Sequence, residues 1–597
     1  MKVIYNSRDL NFKSPFGAVK TDQKVFIKLC LETSKKVFGV NLFVTSDSYE
    51  NVFPLSTIGN GEYSVEFSLE HPEIYYYRFE IYADGKTYYV GNDGQGKAII
   101  GDWLKSWQLT VYDKNYKTPN WLKGGLIYHI FPDRFARVSD GAVTEKENAI
   151  MRSWYQELSI QDSQNVYLAN DFYGGNIKGV ISKLDYLKNL SVSAIYFSPI
   201  FKSASNHRYD TGDYFEIDPL FGTEEEFKLL LSEAKKRNIE IILDGVFNHT
   251  GADSVYFNKF GNYNSVGAYQ SKFSDYYDWY TFYNYPNDYN CWWGVTVCPT
   301  ISRNAKGFQE MIAGHGGVIE KWTSMGVKGW RLDVVDEISD DFVEKIRERS
   351  KAHGDVVVIG EVWEDASTKV SYGEKRRYLL GNELDGVMNY PYKNAIINLL
   401  LTGNVDDFIN TIYTIAENYP KESLDCSMTL LGTHDTVRII NVLSQVISPE
   451  TKKERLVYRL SKSDYEKGRN LLYIASLIQY FLPGVATVYY GDEVGIEGFE
   501  DPINRRPFPK TGGDQVLLEH YKHLGKIRKK YRKNFMGDFK ISVENKLLVI
   551  DREGLKAKIN LNDEQISFSP VKDLFTNKMV QELNKNQFII VDSSKKV

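Results

Sequence analysis

Short stretches in which apolar and polar residues alternate follow one another through the first part of the chain. KVFIKLCLE, YSVEFSLE and YYYRFEIYADGKTYYV show this alternation, and the last contains ADGK, which is typical of a hairpin turn. A period of two places one face of each strand in a core and the other toward solvent. The pattern predicts an N-terminal β-sandwich over residues 1–118.

After this segment the pattern changes to short apolar runs separated by helical segments. Eight such runs occur, from LIYHIF to VATVYYGDE, and the segments between them carry apolar residues at helical spacing. Nearly continuous apolar runs are typical of buried parallel strands. We therefore predict a multidomain α/β protein whose residues 119–520 form a (β/α)8 barrel of the TIM type.

Two further regions complete the predicted architecture. A segment at about 250–302 follows the third run and is rich in Tyr, Asn, Asp and Trp without clear periodicity. Insertions of that length are usually functional or form a small subdomain. Residues 535–597 contain strand-like pieces such as KLLVIDR and QFIIVDS, and they predict a small C-terminal β-domain.

Composition excludes several classes of protein. The 597 residues are 42% hydrophobic and 25% charged, as in folded globular chains, and the net charge of −5 does not indicate a nucleic-acid partner. No run approaches the roughly 20 apolar residues of a membrane span, and no signal-peptide segment is evident, so we expect a cytoplasmic protein without membrane contact. The four cysteines lack metal-site or disulfide-framework spacing, and no metal site is predicted.

Three of the apolar runs lead into a carboxylate. Asp333 follows the fourth run, Glu361 the fifth and Asp435 the seventh, while Arg331 lies two residues before Asp333 on the same side of its strand. Strand ends of a closed barrel meet at one mouth, where barrel enzymes place their catalytic groups. Glycoside hydrolysis needs one protonated and one ionised carboxyl. Each acid taken alone would more often be an ordinary structural or solvated loop residue, and it is the joint pattern that points to catalysis.

The motifs around these acids resemble those of the α-amylase family of glycoside hydrolases (family 13), in its neopullulanase, cyclomaltodextrinase and maltogenic amylase branch. DGVFNH, GWRLDVVDE, GEVW and GTHD match the four family blocks in order. The resemblance implies that Asp333 is the nucleophile, Glu361 the general acid and then base, and Asp435 the stabiliser of the transition state. It also implies cleavage of α-1,4-glucosidic bonds with retention through a covalent glycosyl enzyme.

The same resemblance implies a set of substrate-binding residues. His249 and His434 would hydrogen-bond the sugar before the cut and Tyr209 would stack beneath it, although an isolated histidine is more often structural. Asp244 and Asn248 would hold the site together. The full predicted binding set is His207, Tyr209, Asp244, Asn248, His249, Arg331, His434, Asp501 and Arg505. Trp292 and Trp293 are candidate stacking platforms or core residues.

Some positions depart from the branch pattern. Residues 298–302, Val335, Asp336 and Glu364 differ from the usual residues, and we expect them on the leaving-group side. The substrate therefore stays open among cyclodextrins, pullulan, maltooligosaccharides and starch. No cofactor is required. A structural calcium is not predicted, because Asp140, Glu145, Glu147 and Asn148 do not form a recognisable calcium loop.

Two other function classes share these residues. A transglycosidase has the same carboxylates and transfers the glycosyl unit to a sugar instead of water. A non-catalytic relative would bind α-glucan through the same barrel, but would be expected to lack one of the carboxylates. The N-terminal sandwich resembles the domain with which this branch dimerises, and that resemblance implies a homodimer. The aromatic-rich run that includes Tyr75, Tyr76, Tyr77 and Phe79 alternates in a way that is expected to expose some of its rings.

Overall fold

The protein is described by a computed structural model. It describes residues 1–139, 146, 149–158 and 169–593. Asp140, Glu145, Glu147 and Asn148 lie outside the described residues.

The N-terminal part forms two sheets that face each other. The two sheets contain five and seven strands. Their inner faces share one apolar core, in which Leu29, Leu42 and Trp107 are buried. The strands of the first sheet are Lys2–Ile4, Lys13–Ser14, Val25–Glu32, Ser56–Gly59 and Glu62–Phe67, and those of the second are Val19–Lys20, Val37–Thr45, Glu50–Pro54, Glu73–Ala83, Lys86–Asn92, Ala98–Ile100 and Trp107–Tyr112. The predicted β-sandwich is confirmed.

The aromatic run in strand Glu73–Ala83 fills this core instead of forming an exposed face. Tyr75, Tyr77 and Phe79 are buried, and the Tyr77 ring stacks on Trp107 with 5.5 Å between ring centroids. Tyr76 points to the other side of the strand and is half-buried. The period of two therefore sends Tyr75, Tyr77 and Phe79 inward, and of these four rings only that of Tyr76 is partly exposed.

The outer side of the second sheet packs on the barrel. The hydroxyl of Thr110 donates to the carbonyl of Asn418 at 2.7 Å, and the hydroxyl of Tyr112 donates to Glu422 at 2.8 Å. Lys375 of the barrel pairs with Asp47, in a turn of the sandwich, at 2.6 Å. Polar contacts of this kind fix the sandwich beside the barrel mouth.

Eight parallel strands form the barrel, as the sequence predicted. The order in the sheet follows the chain, with the first strand beside the eighth, and a parallel bridge between Met388 and Met428 joins the sixth and seventh. Apart from Glu240, their side chains are buried, which explains the nearly continuous apolar runs. Barrel strands one to eight are Leu126–Ile130, Ala194–Phe197, Glu240–Gly245, Gly329–Leu332, Val357–Gly360, Gly386–Val387, Met428–Leu430 and Val485–Tyr489.

Helices surround the barrel and continue beyond it. Helix Glu224–Lys235 begins at a capping box, in which Thr223 and Glu226 exchange hydrogen bonds with each other's backbone amides. The remaining helices are Pro132–Phe135, Ile177–Ser182, Leu184–Asn189, Lys306–Ala313, Val318–Met325, Asp340–Ala352, Tyr390–Thr402, Val405–Asn418, Lys421–Leu424, Ile439–Ser444, Lys452–Val457, Lys462–Phe481, Gln515–Lys530 and Arg532–Met536. None of the helices in the described ranges is long and apolar enough to cross a bilayer.

The segment after barrel strand three is an irregular subdomain with its own aromatic packing. Phe257 and Tyr280 are buried there with 4.8 Å between ring centroids. Its regular elements are short: strands Phe282–Asn284 and Asp288–Tyr289, and 3-10 helices Tyr277–Trp279 and Trp292–Gly294. Other short strand pairs in the barrel loops are Ile150–Met151 with Asp171–Phe172, Phe201–Ser203 with Thr211–Ile217, and Val370–Ser371 with Glu374–Lys375. Single-turn 3-10 helices lie at Val335–Glu337 and Asp492–Val494.

The C-terminal part is a small β-domain, as predicted. A sheet of four strands lies against the barrel helices, and a pair of strands covers its other side. The four strands are Lys540–Glu544, Leu547–Arg552, Leu555–Asn560 and Gln587–Asp592, and the pair is Ile566–Lys572 with Met579–Leu583. The exact domain boundaries given above stay predictions.

Candidate active site

The three predicted catalytic carboxylates lie in one cleft at the carboxyl ends of the barrel strands. Asp333 directly follows strand four and Glu361 directly follows strand five, and these strands are neighbours in the sheet. Asp435 lies five residues beyond strand seven. All three residues line a cleft of about 1320 Å³. Its size admits several sugar units, since pockets for small ligands are usually below about 1,000 Å³.

Arg331 joins these carboxylates beneath the cleft. Its guanidinium lies 2.7 Å from Asp333 Oδ1, 2.9 Å from Asp244 Oδ1 and 2.9 Å from Glu361 Oε2. Register explains the first two contacts, because Asp244 pairs directly with Arg331 across strands three and four, and Asp333 is two residues further on. Arg331 and Asp244 are buried and do not line the cleft. They therefore contact the carboxylates from beneath the cleft.

The loop after strand four also holds Glu361. The backbone amide of Val334 donates to Glu361 Oε2 at 2.9 Å, and the Trp363 indole donates to Glu361 Oε1 at 3.2 Å. Val334 has φ of 38°, a left-handed conformation that is unfavourable for a β-branched residue. The ring of Trp363 stacks on Tyr390 with 3.9 Å between centroids. Both oxygens of the carboxylate are thus fixed by residues of the two quoted motifs, Val334 in GWRLDVVDE and Trp363 in GEVW.

The charges of the cluster favour retention of a proton. Burial raises the pKa of Asp333 well above its usual range, Arg331 lowers it, and the charges of Glu361 and Asp244 raise it again. Burial, and then the charge of Glu361, raise the pKa of Asp435 to about 7, against the lowering effect of Arg505. One guanidinium cannot balance three nearby carboxylates. In such a cluster the three carboxyls are not readily all ionised together.

Tyr209 and His434 form one wall of the cleft beside Asp435. Their rings are stacked with 5.2 Å between centroids at an interplanar angle of 11°. The Tyr209 hydroxyl donates to Asp244 Oδ2 at 2.9 Å, and His434 Nε2 lies 3.1 Å from Asp435 Oδ2. Burial lowers the pKa of His434 well below its usual range. The Tyr209 hydroxyl lies 2.6 Å from the same Nε2. Because that hydroxyl donates its own proton to Asp244, a neutral imidazole can donate Nε2–H to Tyr209.

His249 and Asn248 follow strand three. The His249 ring stacks on Trp292 with 5.5 Å between centroids, and burial lowers its pKa to about 4. Asn248 donates to Glu337 Oε2 at 3.0 Å and does not line the cleft. Its place below the surface agrees with the predicted role of holding the site together.

His207, Asp501 and Arg505 line the remaining part of the cleft. Arg505 pairs with Asp501 at 2.8 Å, and its Nε donates to the carbonyl of His434 at 3.0 Å. Nδ1 of His207 accepts the backbone amide of Tyr209 at 3.1 Å. The structure therefore brings together all twelve predicted site residues, nine in the cleft wall and three directly beneath it, namely Asp244, Asn248 and Arg331.

The positions that depart from the branch pattern divide into two groups. Cys298, Asp336 and Glu364 line the cleft. Val335 and Ile301 instead pack into the apolar core. Pro299, Thr300 and Ser302 do not line the cleft either. The expectation that all these positions line the leaving-group side is therefore wrong for Val335, for Ile301 and for these three residues. Trp292 and Trp293 both line the cleft, and the Trp293 side chain is exposed.

Other residues of the site carry no signal in the sequence motifs. The hydroxyl of Tyr196, on strand two, donates to Asp244 Oδ2 at 2.7 Å. Lys369 lines the cleft and pairs with Asp336 at 2.8 Å. Tyr196 was detectable only as a residue on an inward-facing strand position, and Lys369 lies in a hairpin that no pattern predicted. Among the described residues, no group of three or more His, Cys, Asp or Glu side chains is placed to hold a metal ion.

Comparison with known proteins agrees with this geometry. The catalytic-domain family of α-amylase matches residues 129–538. The chain belongs to the α-amylase family. Relatives named cyclomaltodextrinase, neopullulanase and maltogenic α-amylase also match, which confirms the branch that the motifs indicated.

Two relatives and one solved structure show how far the similarity extends. The amylopullulanase of Thermoanaerobacterium saccharolyticum is 33% identical over 658 aligned residues, which cover 99% of this chain and 49% of that protein. Neopullulanase 2 of Thermoactinomyces vulgaris is 33% identical, with 69% of this chain and 64% of the relative covered. The type III pullulan hydrolase from Thermococcus kodakarensis has the same fold, with a TM-score of 0.68, 22% identity and coverage of 99% and 100%. This α-amylase family chain spans about half the length of that amylopullulanase.

Proposed function

We propose that the protein is a retaining glycoside hydrolase that cleaves α-1,4-glucosidic bonds in short α-glucans. The observation that carries the proposal is that one guanidinium, that of Arg331, contacts both Asp333 and Glu361. The two acids end neighbouring strands, so a glucosidic bond in the cleft meets both at once. Membership of the α-amylase family supports the same reaction.

In this mechanism Asp333 attacks the anomeric carbon and Glu361 protonates the departing oxygen. Arg331 stabilises the ionised form of Asp333, and the contacts from Val334 and Trp363 hold Glu361 in place. Glu361 then removes a proton from water, and the hydroxide attacks the glycosyl enzyme. Asp435 and His434 hydrogen-bond sugar hydroxyls, with stronger bonds in the flattened transition state than in the ground state.

The substrates proposed are maltooligosaccharides, cyclodextrins, pullulan and starch. The relatives named amylopullulanase and neopullulanase support pullulan and other α-glucans. The predicted homodimer and the predicted cytoplasmic location stay predictions, as does the absence of a nucleic-acid partner.

Product analysis tests the proposal. The purified protein is incubated in parallel with γ-cyclodextrin, pullulan, maltoheptaose and soluble starch, and the product lengths and the anomeric configuration at early times are measured. Ring opening and panose from pullulan, with α-anomeric products, are expected. Inverted products would overturn the retaining mechanism. Products longer than the substrate as the main outcome would identify a transglycosidase, and binding without cleavage would favour the non-catalytic alternative.

A further inference from the structure

Two acidic residues that depart from the branch pattern lie in the wall of the cleft. Asp336 is three residues beyond Asp333, and Glu364 is three residues beyond Glu361. Both line the cleft. The proposed reaction uses neither of these carboxylates, although each lies in the same loop as a reacting group. Their charge is therefore available for another role in the cleft.

Lys369 joins the two acidic residues into a charge bridge, formed by Asp336, Lys369 and Glu364. The ammonium group of Lys369 lies 2.8 Å from Asp336 Oδ2 and 2.5 Å from Glu364 Oε2. Burial lowers the pKa of Lys369, but its hydrogen bonds to the two carboxylates raise the pKa by more. Lys369 therefore stays protonated at neutral pH. One cation between two carboxylates leaves the charge bridge with one net negative charge.

The charge bridge is anchored at one end and open at the other. The hydroxyl of Tyr378 donates to Asp336 Oδ1 at 2.8 Å, and the hydroxyl of Ser371 donates to the carbonyl of Asp336 at 2.6 Å. The side chains of Lys369 and Asp336 are only 17% and 22% exposed, whereas that of Glu364 is 63% exposed. A ligand in the cleft therefore meets the bridge chiefly through Glu364.

The hairpin that follows Lys369 is held by two other parts of the protein. Arg303, from the end of the inserted subdomain, lies over the ring of Tyr372 at 5.0 Å from its centroid. Lys375, on the return strand of the hairpin, pairs with Asp47 of the sandwich at 2.6 Å. Contacts at both ends of the hairpin therefore keep Lys369 between its two carboxylates.

The charge bridge lies on the side of the proposed acid. Glu361 protonates the departing oxygen in the proposed reaction, so the leaving chain lies on its side of the bond. Glu364 belongs to the same loop, and Trp363 between them donates to Glu361 Oε1 at 3.2 Å. The leaving chain therefore passes the charge bridge.

The surroundings of the charge bridge add further negative charge. Glu337, next to Asp336 in the chain, accepts its two hydrogen bonds from neutral groups, the Trp293 indole at 2.8 Å and the Asn248 amide at 3.0 Å. Among the described residues that line the cleft, nine are Asp or Glu and four are Lys or Arg. A cleft with this excess of one sign attracts cations and repels anions, because its low-dielectric walls focus the field.

We propose that the charge bridge selects the leaving chain by its charge: it admits neutral and cationic leaving groups and disfavours anionic ones, such as glucose units that carry phosphate esters. The inference rests on the proposed function and adds to it the charge class of the substrate. Lys369 sets the strength of the selection, because it cancels one of the two carboxylates. The hydroxyls of a neutral sugar can donate to the exposed oxygens of Glu364, whereas a phosphate has only acceptors to offer and is repelled.

The test uses aryl α-maltosides that differ only in the charge of the leaving group. The phenol carries a para-aminomethyl, a para-hydroxymethyl or a para-carboxylate substituent, which makes it cationic, neutral or anionic at pH 7. Release of each phenol gives kcat/KM, and the quantity compared is kcat/KM for the cationic substrate divided by that for the anionic one. The intrinsic reactivities of the two substrates are the same for every variant, so they cancel when this charge ratio is compared with that of the wild-type protein.

The variants should move the charge ratio in opposite directions. Lys369→Met removes the cation and should raise the ratio by about two- to fivefold, and Glu364→Gln removes an exposed anion and should lower it by about the same factor. General damage to the site does not produce opposite shifts. Lys369→Arg should restore the wild-type ratio. In 1 M NaCl, where the screening length is about 3 Å, the wild-type ratio should fall and the differences between variants should shrink.

Lys375→Met is the matched control. It removes the same charge from the same hairpin, but Lys375 does not line the cleft. The charge ratio of this variant should equal that of the wild-type protein.

Selection by the charge bridge would be overturned if Lys369→Met and Glu364→Gln left the charge ratio unchanged or shifted it in the same direction. A shift in Lys375→Met as large as that in Lys369→Met would also overturn it, because the net charge of the protein and not the cleft wall would then set the ratio. Failure of the wild-type protein to cleave any of the three maltosides would instead overturn the proposed function.

Discussion

The guanidinium of Arg331 lies 2.7 Å from the carboxylate of Asp333, two residues further along the same chain segment. The same guanidinium reaches Glu361 from the neighbouring strand at 2.9 Å. One buried cation therefore fixes the two groups that the proposed reaction uses. It also favours the ionised form of Asp333, whose pKa burial would otherwise raise further.

Replacement of the proposed nucleophile should stop turnover. Asp333→Asn keeps the shape of the side chain but removes the attacking oxygen anion, and we expect kcat to fall by on the order of 10⁴-fold or more. Binding of maltoheptaose, measured by calorimetry, should persist because the cleft walls are unchanged. The thermal unfolding midpoint is the control for folding. A variant with near-wild-type kcat would show that Asp333 is not the nucleophile.

Removal of the proposed acid should affect substrates according to their leaving group. Glu361→Ala should nearly abolish cleavage of maltoheptaose, whose leaving sugar oxygen needs a proton, and should spare aryl maltosides with nitrophenol leaving groups. Added azide should restore turnover of the aryl substrate by attack on the glycosyl enzyme, and should give an α-glycosyl azide. Rates are measured with and without azide. A uniform loss on both substrates without azide rescue would contradict the acid–base role.

Loss of the central cation should destabilise the fold as well as the activity. Arg331→Met leaves the buried carboxyls of Asp244 and Asp333 without their partner, and breaking a buried ion pair costs about 3–5 kcal/mol. The pKa values of these two carboxyls then rise further. The loss of folding stability should therefore be smaller at pH 5, where the carboxyls can be protonated, than at pH 8. Urea denaturation at both pH values measures this difference. Arg459→Met, at a half-exposed arginine that pairs with the exposed Glu157, is the control and should change stability little. Equal stability of Arg331→Met and wild type at pH 8 would contradict the prediction.

The histidine that stacks on Trp292 should stay neutral in mild acid. Burial lowers the pKa of His249 to about 4, with partial opposition from the charge of Asp210. This folded-state pKa lies below the unfolded value of about 6.5. The neutral His249 ring therefore contributes to folding stability above pH 6.5, and this contribution is lost as the pH falls toward 4. NMR of protein labelled at histidine Cε1 measures the titration, and His249→Asn assigns the signal. A titration midpoint near pH 6.5 would contradict the structure, in which the His249 ring is shielded from water.

The fold was predictable because its signals are periodic. Strand Glu240–Gly245 reads as a continuous apolar run since both of its faces are buried in the barrel, and strand Glu73–Ala83 alternates because the sandwich buries one face. The alternation alone did not predict which of the two sets of side chains in strand Glu73–Ala83 faces the core. Tyr75, Tyr77 and Phe79 face the core only because Trp107 and the opposing sheet cover them.

The sequence by itself determined the carboxylates of the site, since Asp333 and Glu361 end two strands that must be neighbours if the barrel forms. Only the tertiary structure decided what surrounds them. The amide of Val334 reaches Glu361 through an unfavourable backbone conformation, and Tyr372 reaches the cleft on a hairpin held by Asp47 and Arg303. Contacts between residues far apart in the chain leave no periodic trace in the sequence, because they depend on the packing of whole segments and not on local conformational preference.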